Sequence, residues 1–481
     1  MGFLAMFVSA LLACGPNEGG NAGGGGADQG AGAGGGGSNQ GGGGSNQGGG
    51  GSSQGGGGSS QGGGGSTAAP VECFEVKPGC MLPSDTTRIT TPDVPPEDLE
   101  SLSRNNASFA LDLGRALHSA ADNVVYAPFS VSTALAMAYA GARGATEEAM
   151  AEAMRFELPQ ERLHPAFNHV DLELQKRTGD PNDTTGRGFR LRTANAIWSH
   201  IGYPIEEPFL QTLGENYGAH VWLADFDRPP EAEGLINAWV SDRTDGLIPK
   251  LLEDVLDPES RVVLVNAISF EAAWREPFSE RATKPDSFRR GDGMSVIAQM
   301  MRGTQDTRHG AGDGWEAVEL PYAGVAVSMF LVMPAEGTAD TFEESLDGEA
   351  LEEIIASMQQ RSVDITMPKF SFGSSASLNQ ALGALGMEIA FSEEADFTGI
   401  YREPGGMQIQ HVIHKAVIDV DEAGTEAAAA TAVVLAVSAS GAGPLPEPAT
   451  IVLDRPFFFF IRDVPTGAIL FAGRVNDPTA P

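Results

Sequence analysis

The sequence predicts a large α+β domain behind a glycine-rich head, and three observations carry that prediction. Segments of helical periodicity come mainly early, from about position 100. Short apolar runs rich in β-branched residues come mainly late. This part holds no internal repeat, so one α+β unit is favoured over repeated βαβ units. The chain has 481 residues, and many of its 62 Gly lie before position 70. What remains, roughly 400 residues, is one large domain or two small ones. Lys and Arg number 30 against 64 Asp and Glu, a formal net charge of −34. That balance excludes a general phosphate-binding surface and argues against nucleic acid as a partner. With 41% hydrophobic residues the chain can still bury a core, so it is not a disordered acidic polymer. Three Cys exclude a disulfide scaffold and any multi-cysteine zinc or iron–sulfur cluster.

Residues 1–13 are apolar and uncharged. The run is shorter than the roughly 20 residues a membrane-spanning helix needs, and it reads as the core of a signal peptide. Leu11-Leu12-Ala13-Cys14 resembles the lipobox of bacterial lipoproteins, in which the cysteine is lipidated. On that resemblance, Gly15 after Cys14 favours delivery to the outer membrane. An ordinary signal peptide with an incidental cysteine is the alternative, and no Lys or Arg precedes the apolar run. Either way the chain is expected outside the cytoplasm, lipid-anchored or secreted. Residues 14–70 are almost entirely Gly, Ser, Asn, Gln and Ala, with GGGGSNQ and GGGGSSQ repeats. The heptad length is no coiled coil, because no position is apolar. It is a flexible tether, whose reach over some 50 residues is about 40 Å. Gly51 to Gly55 and Gly58 to Gly62 satisfy G-x-S-x-G, but without a flanking strand and helix the motif makes no nucleophile elbow. Cys73 and Cys80 flank a Pro-Gly turn in the junction segment, residues 71–98. Outside the cytoplasm these two are expected to pair, with free thiols as the alternative.

The folded region is expected over residues 99–481. Phe109, Ala110, Leu113 and Leu117 have helical spacing. Val131 to Ala142 is uniformly apolar or small, a buried helix ended by Gly141 or Gly144. Val262 to Phe270, Val325 to Met333 and Val363 to Phe370 read as buried strands. Ile451 to Val475 reads as two strands around the turn Pro465-Thr466-Gly467.

One segment does not fit this pattern. His414 to Asp421 alternates like a strand, and a loop rich in Gly and Pro begins at Gly441. Between them Glu422 to Ser440 is Ala-rich. Read as a strand, its odd positions from Thr425 to Val437 carry no charge, and the lone Glu426 lies on the other face. An Ala-rich run also forms helix readily. Helix, strand, and a segment that is first an exposed loop and later a buried strand all remain open on composition.

Nine or more stretches in order make the chain from about Leu99 resemble the serpin family. They include Asn123 to Ser130, Thr193 to Trp198, Ile236 to Val240, Leu264 to Phe270 with Trp274, and Met367 to Phe370. Leu385 to Met387, His414 to Ala416, Glu422 to Ala427, Asp454 to Phe457 and Pro465 to Phe471 complete the series. The resemblance implies helices packed around three β-sheets with an exposed reactive-centre loop. It implies no catalytic residue and no cofactor. In the family a target serine protease cleaves the loop while joined to it by an ester. The freed strand then inserts into the central sheet and distorts the enzyme. The implied hinge comprises Glu422, Gly424, Thr425, Glu426, Ala427, Ala428, Ala429, Ala430 and Thr431. Its inward positions are small and uncharged, as insertion requires, because an unpaired buried charge costs several kcal/mol, on the order of a whole buried ion-pair partner.

The same resemblance assigns Ser130, Asn266 and His414 to the shutter, a polar cluster beneath the opening sheet. Ala127 stands where the family usually has Ser, so one hydroxyl is expected to be missing. Trp274, Lys369 and Glu422 match the breach, where the loop meets the sheet, with Lys369 and Glu422 as an ion pair. Counting from Gly424 places the reactive bond at Ser438–Ala439, whereas counting back from Pro456 places it near Leu445–Pro446. The first is preferred, because insertion length is set from the hinge. No Lys or Arg lies between Glu422 and Asp454, which points to elastase-, subtilisin- or chymotrypsin-like targets. His411 and His414 form an H-x-x-H pair, but on a strand they face opposite sides, so no shared metal is expected. The implied partner is a target serine protease held covalently as an acyl complex, with the inhibitor a monomer. A non-inhibitory protein of the same fold, carrying a ligand or partner, is the alternative. An enzyme has little support.

Overall fold

The computed structural model describes residues 77–82, 86–118, 122–177, 189–324, 326–403, 407–425 and 448–480. Residues 1–67 are a separate unit outside that description, and the compact unit is Ala68–Pro481. The signal peptide, Cys14, the tether and Cys73 therefore lie outside the described residues. So do Glu426, Ala427, Ala428, Ala429, Ala430 and Thr431 of the hinge and the bond Ser438–Ala439. Cys80 is disulfide-bonded, and neither other cysteine is among the described residues. Among those residues no helix is long and apolar enough to cross a membrane.

The first helix, Pro96–Leu117, begins at a proline, carries Glu97 and Asp98 in its first turn and Arg115 in its last. That placement suits the helix dipole at both ends. Pro128–Tyr139 is buried at all but one position, as its uniform apolarity requires. It ends before Gly141, whereas Gly144 opens the next helix, Gly144–Ala153, instead of closing the first. Three further helices, Gln160–Gln175, Glu207–Tyr217 and Pro229–Arg243, precede the strand-rich half.

The described strands form two hydrogen-bonded sheets where three were expected. The nine-stranded sheet runs Val124–Tyr126, Ile469–Val475, Phe457–Asp463, Val327–Pro334, Trp315–Pro321, Ser295–Gly312, Gln359–Pro368 and Ala449–Val452, with Lys284–Arg289 beside Ser295–Gly312. The reason is the length of Ser295–Gly312. Its 18 residues pair in turn with Lys284–Arg289, Gln359–Pro368 and Trp315–Pro321, fusing what would be two smaller sheets. The expected strand Val363 to Phe370 is cut at Lys369, whose amide turns to bond Gln299 O. Its halves, Gln359–Pro368 and Phe370–Ser377, sit in different sheets.

The second sheet has the order Phe370–Ser377, His411–Val420, Gly424–Thr425, Val262–Ala273, Arg190–His200 and Val221–Ala224. Val262–Ala273 is buried on both faces. Leu264, Ile268 and Phe270 join the large core with Val131 and Leu135, while Val263, Val265 and Ala267 pack with Ile236 and Val240 of Pro229–Arg243. A strand covered on both sides reads as a continuous apolar run, which is how it was recognisable in sequence.

Candidate functional site at the parting of the sheet

Two strands of the second sheet run side by side and part at one end. His411 to Ala416 pairs directly, in parallel, with Val263 to Ile268. Beyond Ala416 that pairing stops, and Gly424–Thr425 lies between the strands, Thr425 opposite both Val420 and Ala272, and Gly424 opposite Ala273. The short strand is antiparallel to both neighbours, because the tight turn at Asp421 to Ala423 sends the chain back alongside the strand it has just left. It is the start of a slot that closes further down.

The turn that feeds this stub is fixed by side chains. Asp421 accepts hydrogen bonds from the amides of Ala423 at 2.7 Å and Gly424 at 3.1 Å. Trp274 donates its indole N–H to Asp421 O at 2.9 Å and its amide to Ala423 O at 2.9 Å. Gly424 has no alternative, since a Cβ there would lie 2.1 Å from the carbonyl oxygen of Ala272. Glu422, nearly buried, pairs with Lys369 at 2.7 Å and accepts the Thr283 hydroxyl at 2.6 Å. Burial pushes the Glu422 carboxyl up, but the bonds from Lys369 and Thr283 outweigh it and hold it below the usual range. Burial likewise pulls Lys369 down, and Glu422 more than restores it. Lys369 is 39% exposed, so the pair itself contributes only about 0–1 kcal/mol. Trp274, Lys369 and Glu422 thus stand together, as the sequence implied.

The inward end of the stub is closed by a residue the sequence reading missed. Thr425 is 1% exposed, and its hydroxyl meets the Tyr322 hydroxyl at 2.7 Å. Tyr322 stacks on Trp274, rings 4.6 Å apart at 14°. Burial keeps its phenol protonated well above the ordinary range.

Below the stub, where the strands touch, a polar seam crosses an apolar core. Asn266 stands between Leu264 and Ile268 on one inward face, and His414 between Val412 and Ala416 on the other. They are register partners, and His414 Nδ1 lies 2.5 Å from Asn266 Oδ1. The other ring nitrogen, Nε2, accepts the amide of Ala127 at 3.1 Å. This pattern requires a neutral imidazole with its proton on Nδ1. The missing hydroxyl at Ala127 is thus met by backbone. Asn266 Nδ2 donates to Ser130 Oγ at 2.7 Å and to Asn195 Oδ1 at 2.6 Å, and Ser130 Oγ donates to Asn195 Oδ1 at 3.0 Å. Asn195, on Arg190–His200, is the second residue missed. It lay inside a recognised motif, but only the pairing of Asn195 with Asn266 across the two strands shows its part.

Two side-chain groups among the described residues have metal-like spacing: His118, Asp340 and Glu343, and His200, Asp225 and Asp227. In the first, Arg474 already bridges both carboxylates at 2.7 Å, and in the second Arg228 occupies Asp225. Arginine thus already takes both carboxylates of the first group and one of the two in the second.

One sheet thus parts at one end around Gly424–Thr425, above a buried polar seam where its strands still touch. The family model described as Serpin (serine protease inhibitor) matches residues 104–478. The chain is 36% identical over 393 residues to the leukocyte elastase inhibitor of Sus scrofa, covering 79% of this chain and all of that one. It is 37% identical over 374 residues to an uncharacterized serpin-like protein of Thermococcus kodakarensis, covering 77% of this chain and 84% of that one. The native structure of the thermophilic serpin tengpin matches with a TM-score of 0.71 at 26% identity, covering 82% of this chain and 97% of that one. Human thyroxine-binding globulin matches with a TM-score of 0.71 at 29% identity, covering 80% and 100%. The chain belongs to the serpin family.

Two predictions follow from this geometry. Burial lowers both His414 and His164 to about 4. Unfolded histidine titrates near 6.5, so the unfolded chain binds more protons between these values. Stability is full above pH 6.5 and falls as the pH drops towards 4, by up to about 1.4 kcal/mol per pH unit for each histidine. Urea midpoints from pH 7 to 4.5 should show this fall, and His414→Gln should make it shallower without abolishing it, since burial also lowers His411. Secondly, Tyr322→Phe leaves the buried Thr425 hydroxyl unpaired, at about 1–2 kcal/mol. Hydrogen exchange of the Thr425 amide should accelerate accordingly, while exchange in Val327–Pro334 stays unchanged.

Proposed function

We propose that this serpin is a suicide inhibitor of serine proteases of elastase, subtilisin or chymotrypsin type. The observation carrying the reading is the stub. Its register gives the loop a defined path, each further residue pairing one position further back on both neighbours. Position 431 then falls opposite both Asn266 and His414. A threonine there, facing inward like Thr425, can take over hydrogen bonds that Asn266 and His414 now make to each other. Position 434 falls opposite Val263 and His411, near the start of both strands. That length favours the reactive bond at Ser438–Ala439 over one near Leu445, which would leave about seven more residues outside the sheet than the Ser438 count does.

The driving force follows from the strand directions. Insertion exchanges one parallel ladder, the less stable kind per residue, for two antiparallel ones. Roughly ten additional ladder bonds at about 1 kcal/mol each give a gain on the order of 10 kcal/mol. The same motion would drag an acylated protease the length of the sheet. The leukocyte elastase inhibitor among the relatives fits a loop without Lys or Arg. A lipid on Cys14, a Cys73–Cys80 bond and the tether would hold the monomeric inhibitor at a bacterial envelope, guarding it against foreign or self-secreted proteases. The likeness to thyroxine-binding globulin supports a second reading, a non-inhibitory ligand carrier.

Incubation with subtilisin should give a detergent-stable complex, with a new N-terminus at Ala439 by mass spectrometry, and trypsin should give none. Loop-nicked protein should resist heat far better than intact protein. A nicked form that melts with the intact one, and no complex, would favour the carrier. Thr425→Arg places a charge where 1% of the surface is exposed, at several kcal/mol, on the order of an unpaired buried ion. Subtilisin should cleave that variant without being trapped.

A further inference from the structure

We infer that residues 77–82 and 86–91 form a strap that holds the second sheet shut from its outer edge, so that the chain ahead of the serpin body sets how long the loaded state lasts. The inference rests on the insertion reading above. The segment was expected to be a junction, yet it is built into the body at two places. At the first, it adds to the edge strand Val221–Ala224. Gly79 donates to Leu223 O at 2.8 Å, Leu223 donates to Cys80 O at 2.9 Å, and Leu82 donates to Val221 O at 2.8 Å. Met81 bridges Trp222 in antiparallel fashion, and Cys80 and Met81 are buried. Gly79, at φ +84°, lies so near the helix Pro229–Arg243 that a Cβ would sit 3.3 Å from Leu235.

At the second place the strap grips helices. Arg88 donates to Asn168 Oδ1 at 2.9 Å and pairs with Asp171 at 2.6 Å, both on Gln160–Gln175. Asn168 is fully buried, and its Nδ2 donates back to Ile89 O at 2.8 Å. Ile89 in turn donates its amide to Glu215 O at 2.9 Å, on Glu207–Tyr217. Gly218, at φ +57°, leaves room for Arg88, since a Cβ there would come within 2.9 Å of its Cδ.

These two anchors lie on parts that insertion must move apart. Admitting a strand between His411–Val420 and Val262–Ala273 shifts the outer strands by one strand width, about 4.8 Å. Val221–Ala224 is at the outer end of that shift. Gln160–Gln175 packs on Pro96–Leu117, which packs on Ile469–Val475 of the other sheet and belongs to the static body. The strap therefore ties a moving edge to a fixed flank and resists opening before any protease arrives.

The test compares the full chain, a chain lacking residues 15–66, an Arg88→Ala variant and an Arg88→Ala/Gly79→Pro variant. Proline at 79 removes the N–H given to Leu223 and cannot adopt the positive φ. Each is held warm without protease, and the half-life of subtilisin trapping is followed with the heat resistance of the spent product. The double variant should lose trapping about tenfold faster or more, with Arg88→Ala between it and the full chain. Its product should be uncleaved, monomeric and as heat-resistant as nicked protein, whereas loss of residues 15–66 should change nothing. Equal half-lives, or loss by unfolding without a heat-resistant product, would overturn the strap. Nicked full-length protein is the control. If it gains no heat resistance, the insertion reading itself fails, and if it does while half-lives match, only the strap fails.

Discussion

Everything distinctive in this structure depends on one pairing, the parallel contact of His411 to Ala416 with Val263 to Ile268. A strand between parallel neighbours runs either with both or against both, and the tight turn after Val420 sends the chain back against both at once. The contact is sound enough to hold the sheet closed. It is also the weaker kind of ladder, and parting it opens room for two better ones. Stability and readiness to rearrange are thus properties of the same strands.

The polar seam is what gives that contact its character. An apolar pair at positions 266 and 414 would pack between helix and sheet without constraint on either strand. Asn266 and His414 instead bind each other, and each also binds the helix region beneath, through Ser130 and the Ala127 amide. Parting the strands leaves buried polar groups unpaired until new partners arrive, at about 1–3 kcal/mol each. On the proposed insertion reading the seam is a kinetic barrier rather than a permanent bond. Neutral His414 is essential to it, because a second proton would face the Ala127 N–H and remove the acceptor.

Much of this was legible in the sequence, and the limits have physical causes. The uncharged alternate positions after Gly424 announce a segment able to be buried, and the run Val262 to Phe270 announces a strand covered on both faces. Glu422, Lys369, Trp274, Ser130, Asn266 and His414 were found because each sits in a recognisable local stretch, and the structure brings them into the two expected clusters. Asn195 and Tyr322 were missed because their parts depend on partners far along the chain, Asn266 and Thr425. The cut at Lys369 was missed because the apolar pattern continues through Phe370 although the strand crosses from one sheet to the other. Among the described residues two hydrogen-bonded sheets stand where three were expected, because nothing in the pattern of Ser295–Gly312 reveals that one strand serves three neighbours.

The junction segment carries the sharpest lesson about local reading. Residues 77–91 have no helical or strand periodicity, and their value lies in single contacts with distant elements, Leu223, Asn168 and Glu215. An edge strand with open backbone groups invites pairing with another chain. Here that edge is covered by the chain itself, through Gly79 to Leu82. The covering protects the sheet against unwanted partners, and it also couples the sheet to whatever happens at the N-terminal side. On the proposed insertion reading, in which the useful state is not the most stable one, that coupling matters more than fold stability. A brace that strengthens the body everywhere would lower both states alike, whereas one placed across the line of opening raises only the passage between them.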